Sequence, residues 1–173
     1  MNEDSARRYQ AVMQSLRLIA WIVFAAVAAL GIATADLSAQ DRDTPYWASL
    51  RFDEVRMRVG PSREYPIDWV YLRKGLPVKV VRLREGWRLV EDHEGTRGWV
   101  ASSQLDPTRF AMVQGEGPAP MREEPEPDAE LRWRVEPGVV GELLRCEPDW
   151  CEIDVDGRAG WVARARLWGA DEP

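Results

Sequence analysis

The feature that most constrains the fold of this chain is an internal repeat with a period of about 63 residues. The sequence GWVA at 98–101 recurs as GWVA at 160–163. Further pairs recur in the same order at shifts of 62 to 64: Leu105 and Leu167, Trp87 and Trp150, Gly75 and Gly138, Trp69 and Trp133, and Met57-Arg58 and Met121-Arg122. A repeat of this period indicates repeated structural units. We therefore predict two homologous modules, residues 46–106 and 107–169, with a tail at 170–173.

The two modules differ in charge. The chain of 173 residues has 23 Lys+Arg and 29 Asp+Glu, a net charge of −6. Residues 46–106 carry 11 positive and 9 negative charges (+2), whereas residues 107–173 carry 8 and 15 (−7). Because phosphate contacts need a basic surface, this balance excludes nucleic acid as an expected partner. Modules of about 60 residues are marginally stable alone, so we expect aromatic packing between them.

A targeting segment precedes the repeats. Residues 18–35 (LIAWIVFAAVAALGIATA) carry no charge, and three arginines lie upstream of them. This pattern predicts a signal peptide or an uncleaved membrane anchor within residues 1–39, formed by a hydrophobic helix and followed by a linker at 40–45. In either case we expect the modules to be exported to the periplasm. Membrane contact is then expected only through residues 18–35, if they are retained.

Each module has the pattern of a set of short strands. In the first module, residues 55–59 alternate apolar and charged side chains, and 69–72 and 78–83 are rich in β-branched and aromatic residues. Two further strands are predicted at 87–91 and 98–100. No window after the targeting segment has a helical period. The sequence therefore predicts an all-β fold of two small barrels or sandwiches.

The motifs of the first module resemble those of the bacterial Src-homology-3-like (SH3-like) domains of exported proteins. The resemblance rests on RVGPS at 58–62, KGLPV at 74–78, GW at 86–87 and GWV at 98–100. The second module matches from Gly138 onward and ends with LWG at 167–169. The resemblance implies two five-stranded barrels in tandem. It also implies non-catalytic binding modules at the cell envelope, often attached to or acting beside cell-wall enzymes.

The proline-binding groove of eukaryotic SH3 domains is not expected here. That groove is lined with aromatic side chains and binds peptides in the polyproline II conformation. Trp87 matches the groove tryptophan, but Ala101 and Gln104 stand where the pattern has proline and tyrosine. The second module has Ala163 and Arg166 at these positions.

Cys146 and Cys151 are predicted to form a structural disulfide. They flank a tight turn, EPDW at 147–150, and opposed hairpin positions have Cβ atoms about 4.5–5.5 Å apart, close to disulfide reach. Export places them in an oxidising compartment. A redox-active pair fits less well, because the C-x4-C spacing has no basic neighbour or helix start to lower a thiol pKa.

No residue pattern indicates an enzyme. The single histidine, His93, has no second histidine to share a metal or base role, and we expect a solvated loop imidazole. The stretch 116–130 holds six acidic residues and is interrupted by prolines, which is typical of a solvated loop. Nucleophile motifs, phosphate loops and paired carboxylates are absent from the sequence. We therefore expect no catalytic residue, no metal and no cofactor.

The tryptophans of the two GWV motifs admit two interpretations. Neighbouring residues of a strand face opposite ways, so Trp99 and Val100 cannot both point inward. Either the tryptophan belongs to the core and the valine faces outward, or the tryptophan lies on the surface and packs between the modules. The same choice applies to Trp161 and Val162.

The remaining aromatic residues of the first module are the candidates for ligand binding. The candidate binding residues are Tyr65, Trp69, Tyr71, Trp87, Arg56 and Arg58. An exposed aromatic cleft suits peptide stems or glycan faces, and the positive first module favours anionic wall polymers. The sequence thus predicts a non-enzymatic module that binds a cell-wall polymer or envelope component. The alternative is an adaptor that docks a protein partner in the periplasm or envelope without binding the wall.

Overall fold

The computed structural model describes residues 43–173, so the targeting segment expected at 1–39 lies outside the described residues. This part of the chain folds into 14 β-strands and two short 3-10 helices. The strands form two antiparallel sheets of seven strands each. Within residues 43–173, no helix is long and apolar enough to cross a membrane. The expected all-β fold is therefore confirmed for the described residues, whereas the N-terminal helix is not.

The first sheet contains the five strands expected from the sequence and two more. Its strands are β1 (Tyr46–Leu50), β2 (Val55–Arg58), β3 (Ile67–Tyr71), β4 (Pro77–Arg84), β5 (Trp87–Glu91), β6 (Arg97–Ala101) and β7 (Leu105–Asp106), with a 3-10 helix at Ser102–Gln104. The spatial order is β3-β2-β6-β5-β4-β1-β7. β1 gave no alternating signal because four consecutive residues, from Trp47 to Leu50, are buried.

The second sheet repeats this topology strand for strand. Its strands are β8 (Phe110–Val113), β9 (Ala119–Arg122), β10 (Leu131–Val135), β11 (Val140–Cys146), β12 (Trp150–Val155), β13 (Arg158–Ala163) and β14 (Leu167–Trp168), with a 3-10 helix at Arg164–Arg166. The order β10-β9-β13-β12-β11-β8-β14 matches the first sheet. The acidic stretch at 116–130 contains β9 and, after it, an exposed turn region.

The recurring residues of the repeat have the same structural role in both modules. Met57 and Met121 are fully buried, and each faces the glycine of a GWV motif. A Cβ atom on Gly160 would lie 2.8 Å from Cγ of Met121, and one on Gly98 would collide with Met57 in the same way. A larger residue therefore has no space at either glycine.

The arginine after each methionine is also equivalent. Arg58 donates a hydrogen bond of 2.6 Å to the carbonyl oxygen of Tyr65. Arg122 donates one of 2.6 Å to the carbonyl oxygen of Ala129. Both bonds hold the long connection between the second and third strands of their module, which explains why Met-Arg recurs as a pair.

The valines of the GWV motifs are the core residues. Val100 and Val162 are fully buried in the two separate hydrophobic cores. The interpretation in which the tryptophan is core and the valine faces outward is therefore wrong. Trp161 lies on the opposite face of its strand and is only 3% exposed, and the guanidinium of Arg145 lies 4.8 Å from its ring centroid. Trp99 is half-buried.

The modules do pack through aromatic residues, but through a different pair of tryptophans. Trp47 of β1 and Trp168 of β14 meet edge to face, with ring centroids 4.9 Å apart. The indole nitrogen of Trp47 donates a hydrogen bond of 2.8 Å to the carbonyl oxygen of Asp171. The indole nitrogen of Trp168 donates one of 3.3 Å to the carbonyl oxygen of Pro77. Arg73 adds a hydrogen bond of 2.8 Å to the carbonyl oxygen of Gly138. We call this contact the seam.

Candidate binding cleft of the first module

Exposed apolar side chains are concentrated on the hairpin of β2 and β3. Six large apolar residues are exposed there: Val59, Tyr65, Ile67, Trp69, Val70 and Leu72. Of the five residues of β3, which is an edge strand, only Tyr71 is buried. Single exposed apolar residues are normal, but a concentration of them marks an interaction surface.

A cleft of about 170 Å³ lies beside this hairpin. Trp69, which is 57% exposed, forms one side of it. Leu76 and the first two residues of β4 form an apolar wall, and residues of the β5–β6 turn complete the lining. The cleft is therefore built from the end of β3, the start of β4 and the β5–β6 turn, and only the last of these is distant in sequence.

The floor of the cleft is a buried hydrogen-bonded pair. The hydroxyl of Tyr71 donates to Oδ2 of Asp92 at 2.9 Å. Burial, and then the hydrogen bond to Asp92, raise the pKa of Tyr71 well above its ordinary value. Tyr71 therefore keeps its proton at neutral pH and remains a donor to the Asp92 carboxylate.

Asp92 also organises the turn that carries the polar side of the cleft. Its Oδ1 accepts hydrogen bonds from the backbone nitrogens of Glu94 at 3.0 Å and Thr96 at 2.9 Å. Gly95 has a φ of 82°, a conformation that favours glycine. The turn is thus fixed by one carboxylate and one glycine, and it places His93, Glu94 and Thr96 in the lining.

The charges in the cleft are negative, although the module is net positive. Asp92 and Glu94 line it, and no Lys or Arg does. Within residues 43–173, the one ion pair of Glu94 is with His93 at 4.0 Å, so it has no Lys or Arg partner. The cleft is therefore an acidic and aromatic site on a basic module.

The structure brings together only some of the candidate residues from the sequence. Trp69 and Tyr71 line the cleft, Tyr71 as part of its floor. The Tyr65 ring packs instead against Gly60, and Trp87 lies opposite Ala101 at the start of β5. Tyr65, Trp87 and the two arginines lie outside the cleft lining.

The two arginines have partners within the protein. Arg56 is exposed and forms an ion pair of 2.9 Å with Glu54. Arg58 is bonded to the backbone of Tyr65, as described above.

The polar residues of the β5–β6 turn were not predicted as site residues. The sequence indicates a polar turn there but does not show that β3 lies beside it.

The corresponding region of the second module has lost the polar pair. Tyr71 pairs with Val55 as Val135 pairs with Ala119, so Val135 is its counterpart. At the shift of 63 that relates Val90 to Ile153, the counterpart of Asp92 is Val155. The hydroxyl–carboxylate pair of the first module is thus two valines in the second.

The turn beside this pair also differs in length. Five residues, 92–96, connect β5 to β6, whereas only Asp156 and Gly157 connect β12 to β13. Asp156 and Gly157 have φ values of 53° and 82°, as a two-residue hairpin turn requires. Asp156 stands before Gly157 as Glu94 stands before Gly95, so the short turn keeps an acidic residue and has no counterpart of His93.

The predicted disulfide is confirmed. Cys146 and Cys151 are joined, with an S–S distance of 2.01 Å, and they are the last paired residues of the β11–β12 hairpin. Their counterparts in the first module, Leu83 and Arg88, are likewise paired across β4 and β5. The bond is therefore an addition to a hairpin that both modules have.

The two barrels, with their shared strand order and a 3-10 helix before each last strand, define a tandem SH3-like protein. The sequence matches the family described as "Bacterial SH3 domain" twice, at residues 52–107 and 115–169. The chain belongs to the bacterial SH3 domain family. Domains of this family occur in exported proteins and commonly bind the cell wall. A comparison with curated proteins found no match.

Three solved structures share 14% sequence identity with this chain. NlpC1 from Trichomonas vaginalis has a TM-score of 0.32, with 73% of this chain and 46% of that chain covered. NlpC2 from the same organism has a TM-score of 0.34, with 73% and 49% covered. An NlpC/P60 family protein from Bacillus cereus has a TM-score of 0.32, with 71% and 56% covered. This chain thus spans about half the length of those proteins.

Proposed function

We propose that this protein is an exported, non-enzymatic binding protein of the cell envelope whose first module recognises a component of the cell wall. The observation that carries the proposal is the concentration of exposed apolar side chains on the β2–β3 hairpin, beside a cleft with Trp69 on its rim. Membership of a family of binding modules supports it.

The second module serves as the supporting unit in this proposal. Trp133, the counterpart of Trp69, is 37% exposed against 57%. The valine pair removes the buried hydroxyl and carboxylate from this part of the second module, and the net charge of −7 over residues 107–173 repels anionic polymers. Its disulfide and the seam hold the first module against a stable neighbour.

Co-sedimentation of the full chain with purified peptidoglycan sacculi tests the proposal. The matched variants are Trp69→Ala and Trp133→Ala, which remove the same side chain at equivalent positions. We expect Trp69→Ala to lose most of the pelleted protein and Trp133→Ala to behave as the unmodified chain. Binding that is absent, or equally affected by both changes, contradicts the proposal. Trp87→Ala is a further control within the first module, because Trp87 lies outside the cleft lining.

The adaptor function has one specific observation in its favour. β3 is an edge strand with exposed apolar residues, a surface that a protein partner can also cover. Affinity capture from an envelope extract distinguishes the two functions. Recovery of one stoichiometric protein, without sedimentation of the chain on sacculi, identifies an adaptor.

A further inference from the structure

We infer that the cleft of the first module binds a primary ammonium group on a flexible alkyl chain, as presented by the diamino-acid residue of a wall stem peptide. The inference rests on the proposed wall-binding function and names the part of the wall that the cleft recognises. According to this inference, the cleft binds the peptide of the wall and not the glycan or an anionic wall polymer.

The size of the cleft favours a single side chain. Its volume of about 170 Å³ is well below the roughly 300–1,000 Å³ of sites that enclose drug-sized ligands. A disaccharide does not fit inside such a space, but one alkyl chain does. The apolar wall at residues 76–78 provides the surface for its methylene groups.

The charge of the cleft selects a cation. Asp92 and Glu94 line it without any Lys or Arg, so an ammonium group meets two carboxylates and an anionic ligand is repelled. Trp69 adds an exposed indole face, and tryptophan is the best aromatic partner for a cation. An acidic cleft on a module of charge +2 is the reverse of what an anionic polymer requires.

The acidic groups are fixed in advance of binding. Asp92 is 7% exposed and accepts three hydrogen bonds, from Tyr71, Glu94 and Thr96. A carboxylate has about four acceptor positions, so one remains for a ligand. Glu94 is exposed and has no Lys or Arg partner among residues 43–173, which leaves it free to pair with the ammonium.

The second module is an internal control for the inference. Val135 and Val155 replace the Tyr71–Asp92 pair, whereas the shorter turn keeps an acidic residue, with Asp156 before Gly157 as Glu94 stands before Gly95. Arg132 stands at the position of Asp68, next to the exposed tryptophan. The second module therefore retains an acidic turn residue but lacks the buried carboxylate, and its exposed tryptophan has a cationic neighbour.

Two measurements on the full chain test the inference. The first records the indole NMR signals during titration with the tetrapeptide L-Ala-γ-D-Glu-L-Lys-D-Ala and with its Nε-acetylated form. The second measures co-sedimentation with sacculi before and after acetylation of their free amines. We expect the tetrapeptide to shift the Trp69 indole signal and acetylation to weaken binding about tenfold, as the loss of a cation–π contact and a carboxylate pair implies.

Variants separate the contributions of the side chains. Glu94→Gln keeps the shape and the backbone of the turn and is expected to weaken tetrapeptide binding about two- to fivefold. Trp69→Ala is expected to weaken it about tenfold. Glu142→Gln, an exposed change on β11 of the second module, is the matched control and is expected to have no effect.

The outcomes distinguish this inference from the proposed function. Native and acetylated sacculi that sediment the protein equally overturn the ammonium site and leave wall binding intact. A protein that does not sediment with native sacculi contradicts the proposed function itself. Shifts that map to the second module, or binding at the cleft only by a lysine-bearing envelope protein, overturn the stem peptide as the ligand.

Discussion

The two modules share a fold but differ at the cleft, and the comparison separates residues that form the fold from residues available for binding. In both modules the recurring methionine fills the core, and the recurring glycine leaves space for it. The recurring arginine holds the connection between the second and third strands. The positions of Tyr71 and Asp92, by contrast, are valines in the second module. Most of what the repeat preserves is structural, but Trp69 on the rim of the cleft also recurs, as Trp133, so the candidate site combines a shared tryptophan with positions at which the modules diverge.

The largest expected effect tests the structural half of this comparison. Met57→Ala and Met121→Ala each remove a fully buried side chain and are expected to lower the free energy of unfolding by about 3 kcal/mol. Denaturant unfolding followed by hydrogen exchange assigns each loss to its module. Losses that differ severalfold would show that the two positions are not equivalent.

A smaller effect is expected from the one covalent difference between the modules. The double change Cys146→Ala and Cys151→Ala removes the disulfide, and closing so short a loop stabilises by about 2 kcal/mol on the chain-entropy model. We expect faster hydrogen exchange on β11 and β12 and unchanged exchange on β4 and β5. Reduction of the unmodified protein is the control and should reproduce the result, whereas equal loosening of both hairpins contradicts it.

Tyr71→Phe tests the polar pair that the second module lacks. The change leaves Asp92 without one hydrogen bond and is expected to cost about 1 kcal/mol at pH 7. Because the folded protein holds the Tyr71 proton more tightly than the unfolded chain, this stabilisation is fully present below pH 10.0, the ordinary pKa, and is lost as pH rises above it.

The measurement for this prediction is the difference in melting temperature between Tyr71→Phe and the unmodified protein from pH 7 to 11. The difference should shrink above about pH 10. Val135→Leu, at the equivalent position, is the control without a titrating group and should show no such change. A difference that stays constant with pH would mean that the Tyr71 proton is not linked to folding.

The smallest effect is expected at Arg56. Its ion pair with Glu54 is exposed, so Arg56→Ala should change the free energy of unfolding by less than about 0.5 kcal/mol. If the ligand is the ammonium group of a stem peptide, sedimentation with sacculi should also be unchanged. A large loss of binding that high salt reproduces would instead favour an anionic polymer on the outer face of β2.

The fold was readable from the sequence because its signals are local. Strands such as β4 and β5 alternate or are rich in β-branched residues, and turns are marked by glycine and proline. β1 was not predicted, because four of its five residues are buried and its side chains do not alternate between buried and exposed. The two interpretations of Trp99 could not be separated, because the face of a strand that meets the core depends on the neighbouring strand.

The cleft was only partly readable. Trp69 and Tyr71 stood out as aromatic residues, but the hydrogen bond from Tyr71 to Asp92 joins residues 21 positions apart. Nothing in either local sequence indicates that β3 and the β5–β6 turn are neighbours. The partners of the seam, Trp47 and Trp168, are 121 positions apart and belong to different modules, so the repeat gave no indication of them.

The seam has a mechanical consequence. The indole of Trp47, in the first strand, is bonded to the carbonyl oxygen of Asp171, two residues before the end of the chain. Tension applied between the first strand and the last residues therefore loads this contact directly, before it reaches the hydrogen bonds inside either barrel. We therefore expect a pull of this kind to open the seam before either barrel unfolds.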